Sequence, residues 1–179
     1  MKVPVKMFDE IVREVNHEVL PALKSEYDHI QQVGYMYGHW KEICIKLQDM
    51  TKHPTERYKK FPLIIVLEDL PVDCGDQLET TTLQILILNH TSNLYDSIER
   101  QAKIFDLVLY PIYQELLKQI AKSSFFTQIH PSKIKHRRID RKFFGREEIY
   151  GNAANIPYEY VDAVQMQNVQ LTINKQYCN

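Results

Sequence analysis

Glycine is scarce in this chain, 5 residues among 179, and none of the five sits in a GxGxxG or GxxxxGK(S/T) pattern. Loops that cradle phosphate on bare backbone need such glycines, so nucleotide binding is disfavoured. Cysteine is scarcer still. Cys44, Cys74 and Cys178 are scattered and odd in number, which makes neither a disulfide framework nor a CxxC metal knuckle, and a reducing compartment is the simplest reading. No run approaches 18 apolar residues, and the start MKVPVKMFDEIV reaches Asp9 and Glu10 before any long apolar stretch. Neither a membrane span nor a signal peptide is expected. The seven histidines form no HExxH-like arrangement, no GxSxG elbow occurs, and Cys44 lies on an apolar face where a thiol packs rather than attacks. The expectation is therefore no catalytic residue, no metal and no cofactor: a protein that is not an enzyme.

What is present suits one soluble domain spanning 1–179. Hydrophobic residues make up 44% and charged residues 25%, enough to bury a core and too apolar for disorder over most of the chain. The net charge of -1 supplies no global attraction for nucleic acid or anionic membrane, so partners have to be argued locally.

Along residues 1–30, Phe8, Ile11, Val15, Val19 and Leu20 recur at helical spacing and predict an amphipathic first helix, which Pro21 either kinks or nearly ends. Residues 35–47 fit a helix through Trp40, Ile43, Cys44 and Leu47, while His39 to Leu47 also alternates partly like a strand, so both readings stand. The polar stretch 48–60 reads as an exposed loop. Pro62–Leu67 is a continuous branched run, the pattern of a strand covered on both faces, and 80–88 is a second β-rich run paired with it in an antiparallel hairpin. Ile98, Ala102, Phe105, Leu109, Ile112, Leu116 and Ile120 line one stripe of a long helix, which Asn93, Asp96 or Ser97 caps and which Pro111 should kink. At the end, Val164 and Met166 alternate in one phase and Val169, Leu171 and Ile173 in the other. A β-bulge at Gln167-Asn168 keeps all five on the core face. The fold class expected is α+β: a small mixed or antiparallel sheet with the long helix and the N-terminal helix packed on it.

Two charged clusters are the candidate interface. Acidic residues gather near the turn after the first strand, with Asp73, Asp76 and Glu79 as the candidates, and a solvated hairpin tip explains them better than a metal or acid/base site. Residues 130–146 carry Arg137, Arg138, Arg141 and Lys142 among seven basic side chains against the single acid Asp140. Phe143 and Phe144 beside them could stack on bases, yet pairing with acidic residues of the same or a neighbouring subunit is the favoured reading. The acidic tip is the natural candidate partner.

Gly38-His39-Trp40-Lys41-Glu42, Lys60-Phe61-Pro62-Leu63-Ile64 and the strand 82–88, taken in order, resemble small head-to-tail connector and tail-terminator proteins of tailed bacteriophages. Ile112-Tyr113 after Pro111 in a long helix, then an arginine-rich strand, then the run Asp162 to Ile173 look like the closing pattern of such chains. The resemblance spans residues 34–174 and leaves the polar stretch 48–60 unexplained. It implies a tail-terminator-like fold and a structural virion subunit, made in the bacterial host cytoplasm. Such a subunit forms an oligomeric ring at the phage neck or tail top, terminating the tail tube or joining tail to capsid. A portal-adaptor ring is the alternative connector, and a nucleic-acid-binding protein using 133–146 the alternative class. The expected partners are copies of itself and other neck, portal or tail-tube proteins, with nucleic acid less favoured and no membrane.

Overall fold

The structure, a computed structural model, describes residues 4–53, 55–56, 59–67, 72–74, 79–127, 129–144, 160–174 and 177. Helix α1 (Pro4–Glu26) buries Phe8, Ile11, Val15 and Val19 as their spacing requires, with Met7, Val12 and Leu23 filling the same face. Pro21 is accommodated within its last turns. The ambiguous segment is settled as helix α2 (Trp40–Lys52) where a strand was the alternative over 39–47, and strand β1 (Gly34–Gly38) lies just before it. The switch falls at Gly38, whose φ of 143° is open to glycine and strained for a side chain. His39 then caps α2, its Nδ1 accepting from the Lys41 N–H at 3.2 Å.

Strand β2 (Leu63–Leu67) runs parallel to β1, and α2 is the crossover between them. β4 (Glu79–His90) pairs antiparallel with β2, Leu63 opposite Leu88 and Val66 opposite Ile85, so the expected strand pair forms. The short β3 (Val72–Cys74) pairs with the start of β4, along the edge that β2 occupies further on. β6 (Val161–Ile173) covers the other edge of β4, and β5 (Arg137–Phe144) closes the sheet, giving the path β1-β2-β4-β6-β5. This is the expected α+β class with a mixed sheet, and its N-terminal and long helices pack together. The bulge is where the side-chain phases placed it: Leu83 faces Val169 and Ile85 faces Met166, so β6 carries one residue more than β4. Asn168, at φ 54°, takes the left-handed conformation that asparagine tolerates, and Val164, Met166, Val169, Leu171 and Ile173 all stay buried.

The long helix is 26 residues of changing character: α3 (Ser97–Arg100), a π-helical stretch (Gln101–Leu109) and α4 (Tyr110–Lys122). Asp96 is the cap, accepting from the N–H groups of Ile98 and Glu99 while Glu99 reaches back to the Asp96 N–H. Those two backbone bonds hold its carboxyl below the usual range. The break expected at Pro111 takes the form of a change of helix type. The Tyr110 N–H bonds the Phe105 carbonyl five residues back, and Pro111 follows at the start of α4.

This wider winding corrects the stripe. Phe105, Leu109, Ile112, Leu116 and Ile120 are buried, but Ile98 is 79% exposed and Ala102 also faces solvent. Arg100, Ile104 and Val108 take the inward positions instead. The exposed loop expected over 48–60 is corrected too. Gln48–Lys52 is the last turn of α2, and Lys60 is buried, its ammonium donating to Thr51 Oγ1 at 2.8 Å.

The two faces of the sheet carry separate cores. α1 and the long helix pack on Ile64, Leu83, Ile85, Ile87 and Val164. α2 packs on Leu63, Ile65, Leu86 and Leu88. β2 is thus covered on both sides, as its unbroken apolar run implied. Among the described residues, no helix is long and apolar enough to cross a membrane.

Candidate interaction surface

β5 is an edge strand, and strand alternation divides its basic residues between two faces. His136, Arg138 and Asp140 meet the long helix. The Arg138 guanidinium lies over the rings of Tyr110 and Tyr113, at 4.8 and 5.5 Å from their centroids, and its Nε approaches Asp140 Oδ1 at 3.4 Å. Tyr110 donates its hydroxyl to Asp140 Oδ2 at 2.7 Å. His136 Nδ1 is 2.8 Å from the Ile134 carbonyl, which can only accept, so Nδ1 carries a proton, and His136 Nε2 is hydrogen-bonded with the Tyr113 hydroxyl at 2.7 Å. Burial pushes both tyrosine hydroxyls up from their ordinary pKa, and the Asp140 carboxylate adds to the rise at each. Lys142 lies on the same side and donates to the Ser97 carbonyl at 3.1 Å, tying the end of β5 to the start of the long helix.

Arg141 turns the other way, its Nε donating to the buried Gln165 Oε1 at 2.6 Å, and Arg137 on that side is exposed. Arg137, Arg138, Arg141 and Lys142 therefore do not make one basic patch: Arg138 and Lys142 brace the helix, while Arg137 and Arg141 border the opposite sheet face. Of the acidic candidates, Asp73 stands opposite Thr80 on β3, Glu79 stands opposite Cys74 and Ile173, and Asp76 lies outside the described residues. Arg141 pairs with Ala163 and Glu79 with Ile173. Ten residue steps of β6 separate the two positions, about 33 Å at ~3.3 Å per residue. Within one subunit the strand positions of Arg141 and Glu79 are therefore far apart.

No family model, no curated protein and no solved structure matches the chain. Among the described residues, no group of three or more His, Cys, Asp and Glu side chains could hold a metal ion. A cleft of about 340 Å³ between α1 and the end of α4 is lined by Glu10, Glu14, Arg13 and Lys122 alike, and mixed charges of this kind select no ligand class.

Sequence reasoning missed one buried group. Arg100 donates to Asp162 Oδ1 at 3.0 Å, to the Tyr95 and Ser92 carbonyls at 3.1 and 2.6 Å, and to Thr91 Oγ1 at 3.3 Å. The pair fastens the first turn of the long helix to β6. Its partners are 62 residues apart in the chain, so no local spacing announces it.

Proposed function

We propose that this chain is a structural virion subunit that forms an oligomeric ring at the phage neck or tail top, where it terminates the tail tube or joins tail to capsid. The observation that carries the reading is the separation of charge along β6. The strand positions of Arg141 and Lys142, which face opposite ways at one end of β5, and those of Asp73 and Glu79 at the far end of the sheet lie too far apart to pair within one subunit. Opposite charges held at two places on one molecule are satisfied between copies, head to tail, and repeated heterologous contacts of that kind close a ring when the rotation permits. The order of elements over 34–174, which resembles connector and tail-terminator chains, supports the same reading.

Charge reversal tests it. Arg141→Glu with Lys142→Glu should block ring formation by the purified chain in negative-stain images and exclude it from assembled particles. Asp73→Lys with Asp76→Lys on the same chain should restore both, since the pair of charges is exchanged rather than removed. Immunogold labelling of particles should place the wild-type chain at the neck, on the portal side for an adaptor or at the tail top for a terminator. Absence of the chain from particles, or normal assembly by the first variant, overturns the reading.

A further inference from the structure

α2 covers only part of its face of the sheet. It packs over β2, Leu86 and Leu88 of β4, and Val161 and Ala163 at the start of β6. Towards its N-terminus, the same face of β4 continues as Thr80, Thr82 and Gln84, alternating with the buried Thr81, Leu83 and Ile85 of the other face. Beyond the bulge, β6 presents Gln170 and Thr172, paired with Thr82 and Thr80. β5 adds Arg137, opposite Gln167, and the neighbouring Lys135, whose carbonyl accepts from the Gln170 N–H at 3.1 Å. Lys135 and Arg137 are both exposed, and they alternate with His136 and Arg138, which face the long helix. The outcome is a three-strand surface of hydroxyls and amides, bordered along β5 by two cations, with no carboxylate at any of these positions. In the register Asp73 is directly opposite Thr80, so its position falls on the same sheet face, at the β3 edge away from the cations beside β5.

We propose that this open sheet face binds the sugar–phosphate backbone of nucleic acid. Lysine and arginine beside threonine and glutamine are the side chains that contact phosphates and sugars, because the cations neutralise phosphate while amides and hydroxyls both donate and accept. Lys135 stands two residues before Arg137, the first residue of β5, a spacing of at most about 6.6 Å at ~3.3 Å per residue, a short row suited to a repeating polyanion. No aromatic ring stands at these positions to stack a base, so recognition is indifferent to base sequence. The net charge of -1 confines the attraction to short range, within a Debye length of about 10 Å at 0.1 M salt. Arg141 and Lys142 are not among these residues, so the variants that test this face differ from those that test ring assembly.

Fluorescence anisotropy of the full chain with labelled oligothymidylate and with a mixed-sequence duplex, across roughly 50 to 200 mM salt, tests it. Both probes should bind at low salt and dissociate as salt rises. Lys135→Glu with Arg137→Glu should weaken binding about tenfold and flatten the log–log salt slope for the single strand by about 1.4, ~0.7 for each phosphate that is no longer neutralised. Gln84→Glu with Gln170→Glu, which removes no cation and adds two carboxylates to the face, should also weaken it, while Lys24→Glu on α1 should not. Circular dichroism verifies each fold, and Lys135→Gln with Arg137→Gln replaces the reversal if that variant misfolds. No binding of either probe at low salt, unchanged affinity in either face variant, or an equal loss in Lys24→Glu overturns the proposal.

Discussion

Arg100 is 1% exposed and Asp162 0% exposed, and a guanidinium so far from water is tolerated only because its donors are met by a carboxylate, two carbonyls and a hydroxyl. Removing one partner strands the other. Asp162→Ala should therefore lower stability by about 3–5 kcal/mol, whereas Arg100→Met combined with Asp162→Leu should cost much less, because no buried charge remains. Urea denaturation of the three chains checks this, and an Asp162→Ala midpoint equal to wild type would show that the pair adds nothing to stability. Other single residues were readable from composition and context. Cys44 is a packing residue on α2, and burial pushes its thiol up to about 11. Asp96 was one of three candidate caps, and only the first-turn geometry selects it.

For whole elements, apolar spacing was informative wherever the winding was regular. α1, the β2–β4 pair and the bulge in β6 follow from periods of 3.6 and 2, the bulge because a phase change in a half-buried strand has no other solution. The long helix is the instructive miss. A stripe drawn at α-helical spacing points Ile98 at the sheet, but nine residues wound as π-helix rotate the preceding turn and bring Arg100 inward. Phe105→Ala should cost on the order of 3–5 kcal/mol by emptying a filled site, and Ile98→Ala should stay within about 0.5 kcal/mol. Comparable losses from the two substitutions, measured by thermal melts, would mean that the helix keeps its α phase throughout.

At the scale of the molecule, one sheet serves two cores, since Ile64 and Ile65 are neighbours in β2 and bury on opposite faces. Neither layer can be lost without uncovering a strand that the other needs, so unfolding should be cooperative. Trp40, the single tryptophan, reports on the α2 face, while far-ultraviolet circular dichroism is dominated by α1 and the long helix. The two signals should give one coincident urea transition; an earlier loss of the Trp40 signal would show α2 detaching alone. The apolar periods of the chain, together with the phase break in β6, determined by themselves α1, the β2–β4 pair, the long helix and β6, and that the class is α+β. Those properties rest on neighbours within a turn or a pleat. The tertiary structure alone decided that the basic residues of β5 divide between a tyrosine-lined helix contact and an open sheet face, and that Arg100 finds Asp162. Those outcomes depend on strand order and on which face a distant helix covers, and residues far apart in the chain carry no local trace of either.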